Sequence, residues 1–210
     1  MKGLHGTAVA AIIDIRTGDV TFLPHLLTPR IYHGLIRFGE SVYVFGGCQT
    51  GNYVDRQEED LKSAETFDFE LNQVWAELPN MCEARRPLTA CIWRGLIYLS
   101  GSLNPSLEAF HPVSKTYTLL PLSLPSDSNT VVFPSFGNLV ALSTSYISTI
   151  ALTAAGDYKL TSKRHEKVTC GSRCPAVVWG GRVYLIQGDR TVVLDAEKGV
   201  RPPVAAKEWK

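Results

Sequence analysis

This sequence predicts an all-β chain of small antiparallel sheets repeated along its length, on three observations. The first is an apolar strand ending at or near glycine, seen in SVYVFGG (Ser41–Gly47), RGLIYLSG, GNLVALST and GRVYLIQG. Aligned on Gly47, Gly101, Thr144 and Gly188, these strands are 54, 43 and 44 residues apart. The second is a landmark in the next strand, at Asp14, Asp68, His111, Ala151 and Asp195, with steps of 54, 43, 40 and 44. The third follows six or seven residues later at Val20, Trp75, Tyr117 and Tyr158. In three copies a Leu-Pro comes next, at Leu23-Pro24, Leu78-Pro79 and Leu120-Pro121. Three landmarks that drift together define a repeat, each unit of which must bury its apolar face on its neighbours.

The elements follow in order, with the strands of each unit labelled a to d. The start, MKGLHGTAVAAII, has the look of a secretory leader, but its apolar run is short and passes into Asp14 in phase with the repeat, which favours a strand. Residues 9–24 supply only strands c and d, joined by the polar turn RTGD. Full a–d units are predicted at about 30–81, 85–121, 129–162 and 173–203, with 204–210 a tail. Their c–d turns are ELNQ, PVSK and AAGD in the first three. The runs VYVF, LIYLS, VALST and VYLIQ are nearly continuous in apolar residues, as strands covered on both faces are. The last d strand is weak because Arg201-Pro202-Pro203 falls inside it. About ten extra residues within Cys48–Lys62 make the first step long.

The paired glycines, Phe-Asp, Trp, Leu-Pro and following Met and Arg of residues 30–101 resemble the kelch repeat, and the likeness extends, with decay, over about 9–203. The third copy has Ser143-Thr144 for its glycines and Ala151 for its Asp, and the fourth has Gln187 for its first glycine. No Trp-Asp dipeptide occurs, which sets aside the WD-type propellers of similar period. The resemblance, to the kelch-type members of the galactose-oxidase central-domain-like superfamily, implies a single-domain β-propeller of four full four-stranded blades plus a half blade. Such propellers typically close with five to seven blades, so three arrangements stay open. The chain is a fragment or abbreviated form of a larger propeller, or it completes itself against another chain, or four blades close imperfectly. Unpaired blade edges would invite self-association.

Composition bounds the function. The 210 residues carry a net charge of +1 and no basic block, which argues against nucleic acid and anionic membrane as partners. No apolar stretch approaches the roughly 20 residues of a membrane span. Five cysteines at irregular positions fit reduced thiols in the cytoplasm better than a disulfide framework.

The resemblance implies partner binding through the b–c and d–a loops at one rim. By position the d–a loops are followed by Arg30, Arg85 or Arg86, and Arg173. Guanidiniums around a rim can take an acidic peptide through bidentate bonds, or each can brace its own loop by bonding backbone carbonyls; the bracing role is favoured for any single one. The b–c loop CQTGNYVDRQEEDLK adds Tyr53 as an anchor, Arg56, and an acidic patch of Asp55, Glu58, Glu59 and Asp60. A simple solvated loop explains it equally well. Trp75, Tyr117, Phe67 and Phe110 read as packing between blades.

Catalysis has little support. DRQEED lacks the alternating oxygen ligands of a calcium loop. Cys170 and Cys174 with His165 lack a second cysteine pair for zinc. Neither a P-loop nor a nucleophile elbow occurs. No catalytic residue, cofactor or metal is therefore expected, and the predicted function is protein or peptide recognition. A cytoskeletal, actin-associated scaffold and a propeller-based hydrolase or oxidase are the alternatives.

Overall fold

A computed structural model describes residues 8–50, 58–71, 73–101, 104–125, 130–135, 137–143, 145–164, 176–179, 182–187, 190–195 and 199–200. Among the described residues every regular element is a β-strand. The N-terminal pair β1 (Ala10–Ile13) and β2 (Val20–Leu23) forms a two-stranded ribbon. The first full sheet joins β3 (Gly34–Phe38), β4 (Ser41–Phe45), β7 (Ala64–Asp68) and β8 (Trp75–Leu78) in that order. Between β4 and β7 the chain makes a second ribbon, β5 (Cys48–Thr50) with β6 (Glu58–Asp60). The second sheet holds β9 (Leu88–Trp93), β10 (Leu96–Gly101), β11 (Asn104–His111) and β12 (Thr116–Ser123). The third holds β13 (Val131–Ser135), β14 (Asn138–Leu142), β15 (Tyr146–Leu152) and β16 (Tyr158–Arg164). The fourth holds β17 (Ala176–Trp179), β18 (Arg182–Gln187), β19 (Arg190–Asp195) and the two-residue β20 (Gly199–Val200). In each sheet the strand order follows the chain, so one repeat is one antiparallel sheet with strands a to d in sequence.

The chain divides into two compact units, Met1–Leu88 with His111–Tyr117, and Thr89–Phe110 with Thr118–Lys210. In the first, the core gathers Leu26, Val44, Phe67 and Trp75, with Ala10 and Leu23 of the N-terminal ribbon against it. Phe67 and Trp75 face one another across β7 and β8, ring centroids 5.4 Å apart. The Trp75 indole donates to the Pro24 carbonyl at 2.8 Å, so the one polar atom of a large buried side chain is satisfied. In the second unit, Tyr98, Leu107, Ala109 and Leu120 pack on Val132, Leu139, Ala141 and Ile150. Tyr98 and Tyr158 exchange a hydroxyl hydrogen bond of 3.0 Å, and Trp93 donates to the Gly137 carbonyl at 3.1 Å.

The paired glycines have a steric cause. Gly46 and Gly47 sit at φ 56° and 86°, a left-handed backbone that side chains rarely adopt. A Cβ on Gly47 would collide with the Ile31 carbonyl, and one on Gly46 would stand 2.9 Å from the Arg85 carbonyl. The second glycine also donates to that Arg85 carbonyl at 2.9 Å. The pairing corrects one alignment made from sequence. Phe67 lies opposite Val42 and Phe110 opposite Ile97, which puts Gly101 in the place of Gly46 rather than Gly47.

The recurring Asp caps the c–d turn. Asp14 Oδ1 accepts from the amides of Arg16 and Thr17, and Asp68 Oδ1 from those of Glu70 and Leu71. Those two bonds, with a third from Ser41, hold the Asp68 carboxyl below its usual range. His111 does the same with Nδ1, accepting from Ser114. In the third sheet Ala151 holds the register position but not the role. There β15 and β16 continue pairing to Leu152 and Tyr158, and Thr153 caps the turn through its hydroxyl. For the same reason Leu160, opposite Ile150, takes the place of Trp75, and Tyr158 lies two residues before it.

Candidate interaction site at one end of the first sheet

Because β3, β4, β7 and β8 run antiparallel in chain order, the b–c connection and both d–a connections meet at one end of that sheet. The b–c connection is the ribbon of β5 and β6, rooted by two bonds between Ile31 and Cys48, at 3.0 and 2.9 Å, and by Leu61 N to the Gly47 carbonyl at 2.9 Å. Cys48 is fully buried at this root. The ribbon is therefore tied to the sheet at its base.

Arg30 and Glu65 lie inside this end. The guanidinium has five N–H donors, and five acceptors meet them: the Thr28, Gly46 and Ser63 carbonyls, the Ser63 hydroxyl and Glu65 Oε1, the last at 2.6 Å. Glu65 also accepts from the amides of Leu27 at 2.7 Å and Thr28 at 3.0 Å. The side chains are 0% and 2% exposed. Arg30 thus braces its own loop, as one of the two sequence readings had it, and has no donor left for a peptide. That removes it from the recognition residues. Arg85 is also buried, its guanidinium 3.1 Å from Glu83 Oε2, and that burial takes it off the accessible rim. Glu65 was missed from sequence; a carboxylate flanked by Ala64 and Thr66 in a c strand was the available signal.

Arg86 behaves differently. Its Nε stands 2.5 Å from Asp60 Oδ1 on β6, a charge pair between side chains 24% and 34% exposed. Glu59, the next residue on β6, is exposed. Lys62 donates to the Cys82 carbonyl at 2.9 Å, a further tie between the ribbon's base and the β8–β9 connection. The structure therefore brings Arg86 and Asp60 together, and Asp60 is charge-matched rather than part of a bare acidic patch; Glu59 is its neighbour along β6. For Glu58 the structure places only the backbone, in β6. Tyr53, Asp55, Arg56 and Arg173 lie outside the described residues.

His33, just before β3, is held below its ordinary pKa of 6.5, first by burial and then by the Arg30 charge. Its Nδ1 is buried without a hydrogen-bond partner. Cys48, Cys82 and Cys91 are in no disulfide, and burial pushes the Cys91 thiol up to about 12. Among the described residues no group of three or more His, Cys, Asp and Glu side chains is placed to hold a metal ion. Among the same residues no helix is long and apolar enough to cross a membrane.

No family model matches the chain, and no curated protein matches it. Among solved structures, one titled "Structure of YjhT" is similar, with a TM-score of 0.68 at 11% sequence identity over 85% of this chain. The match covers 65% of that solved chain, so this chain spans less than two thirds of its length. At that identity the likeness concerns fold alone. An all-β chain of four-stranded antiparallel sheets, superposing in this way, is consistent with a β-propeller-like fold.

Proposed function

We propose that this chain is a kelch-type β-propeller module without catalytic chemistry, which recognises a protein or peptide partner through the loops at one end of its sheets. The β5–β6 ribbon with Arg86 is the recognising element of the first sheet. The observation that carries the reading is the anchored ribbon itself: it interrupts an otherwise regular repeat, is fixed at its root, and carries an exposed Glu59 beside the half-buried Asp60–Arg86 pair. Loops held on a rigid scaffold are where binding residues concentrate. The five bonds of Arg30 and the two glycines keep the base of that loop in one conformation, which lowers the ordering cost of binding.

Affinity capture coupled to mass spectrometry tests this. The bait is the full chain, and the control replaces residues 49–59 with a two-residue Asn-Gly turn. A specific partner should be retained by the bait and lost by the control, while both give the same far-ultraviolet circular dichroism. Exchanging the charges in Arg86→Glu should weaken that partner by about tenfold, mostly through faster dissociation. A partner held equally by both baits would reject the ribbon as the recognising element.

A further inference from the structure

The root of the β5–β6 ribbon carries three features that work against its own closed state. The first is a nitrogen with nothing to bond. His33 is half-buried as a residue, but its Nδ1 is shut off from water and has no hydrogen-bond partner, which costs free energy for as long as the site stays closed. The second is the backbone just before it. Tyr32 sits at φ 57°, a left-handed conformation that a bulky side chain holds only where its surroundings impose it. Those surroundings are visible. Ile31 exchanges two backbone bonds with Cys48, and the Tyr32 carbonyl accepts from the Leu88 amide at 3.0 Å. On the other side, the His33 nitrogen and Cα would stand 2.9 and 3.0 Å from a Cβ on Gly47.

The third feature is charge. The Arg30 guanidinium, from the connection before β3, and the Glu65 carboxylate, from β7, are the charged side chains that act on the His33 ring. Glu65 is already engaged by Arg30 and by the amides of Leu27 and Thr28. Its pull on a ring proton, and that of the Arg30 carbonyl, are outweighed by burial and by the Arg30 charge. The cavity wall that His33 helps to form is otherwise apolar, with Leu23, Leu35, Val42, Val44 and Trp75 among its members. An imidazolium here would therefore meet a cation and hydrocarbon, with one carboxylate already shared.

We propose that His33 is an acid-sensitive latch on the β5–β6 ribbon: a second proton on its ring drives the ring into water and opens the ribbon's root. The proton comes from solvent, and no covalent bond of the chain changes. The direction follows from linkage. The closed state holds that proton less tightly than the open one, so a pH falling below 6.5 favours opening and a rising pH restores closure. Swinging His33 outward moves the backbone at Ile31, which breaks the two bonds to Cys48 and releases Tyr32 from its left-handed conformation. The ladder between β4 and β7 does not run through these residues and stays paired. As regulation of recognition, the latch rests on the ribbon being the recognising element. The opening itself is measured without a partner, so the two readings fail separately.

Amide hydrogen exchange of the full chain, expressed as protection over the intrinsic rate at each pH, tests this. From about pH 7.5 to about pH 5 the amides of Ile31 and Cys48 should lose protection at least about tenfold, the change that one pH unit below the open-state value produces. Those of β4 and β14 should keep theirs. His33→Gln, which cannot take the proton, should hold the root amides at one level throughout that range. In the unaltered chain the His33 imidazole resonance should titrate below 6.5, a readout that stands even where the variant folds poorly. Root protection that does not change with pH overturns the proposal, as does a ring midpoint at or above that value. The same loss in His33→Gln overturns it by giving the response to another group. An equal loss in β4 and β14 overturns it too, since that is general acid unfolding. Should the root open in acid while partner capture is unchanged, the latch stands and the ribbon is not the recognising element.

Discussion

Replacing Arg30 with methionine is expected to lower stability by about 3–5 kcal/mol, the usual cost of breaking a buried ion pair from one side. The loss comes less from the missing attraction than from what stays behind. Glu65 would remain buried with only the Leu27 and Thr28 amides to solvate it. The Gly46 and Ser63 carbonyls would each lose the donor that Arg30 supplies. Arg30→Lys should recover only part of the loss, because an ammonium has three donors and no planar fork to reach five acceptors. A double variant, Arg30→Met with Glu65→Gln, should cost much less than the sum of the two single changes, since both act on one network. Urea midpoints measure all three. A loss below about 1 kcal/mol for Arg30→Met, typical of an exposed pair, would mean that the guanidinium is solvated and free to bind a partner after all.

Trp75→Ala should be comparably severe, about 3–5 kcal/mol for a large aromatic in a packed core. Three contributions act together. The indole leaves the cluster of Leu26, Val44 and Phe67, it abandons its bond to the Pro24 carbonyl, and it opens the wall of a groove that it lines together with Leu23, Leu35 and Val42. The ribbon of β1 and β2 is held largely through that cluster, so its amides should lose hydrogen-exchange protection before those of β4 and β7 do. Trp75→Phe should keep most of the packing and lose the hydrogen bond. If Trp75→Ala removed partner binding while leaving the unfolding midpoint in place, the residue would be a contact rather than a core side chain.

The repeat was legible because its signals are local. Each strand is a short apolar run, each c–d turn carries its cap within five residues, and the glycines at Gly46 and Gly47 mark a backbone that other residues resist. The same reasoning placed a half unit at the N-terminus, where β1 and β2 pair as a two-stranded ribbon; Arg201-Pro202-Pro203, on which the expected weakness of the last strand rests, lies outside the described residues. What the sequence hid is non-local or polar. The β5–β6 ribbon has no alternation of apolar residues, because CQT and EED owe their pairing to the root bonds of Cys48 rather than to a buried face. Arg30 was recognisable as a recurrent position, but its main partner lies 35 residues away, so a brace and a binding group look alike in the chain. The third copy misled by two residues, since a longer hairpin moves the cap from Ala151 to Thr153 without disturbing the pairing. Arg86 is told apart from the buried Arg30 and Arg85 by a half-buried pairing with Asp60 that the chain alone does not reveal.

Amide hydrogen exchange of the full chain, with and without its captured partner, tests most directly whether the loop end of the first sheet does the recognising. The account predicts new protection confined to residues 48–62 and 82–86, with the amides of β4 and β7 unchanged because they are already protected. Protection that appears instead along the c–d turns at Asp14 and Asp68, on the opposite end of the strands, would contradict it.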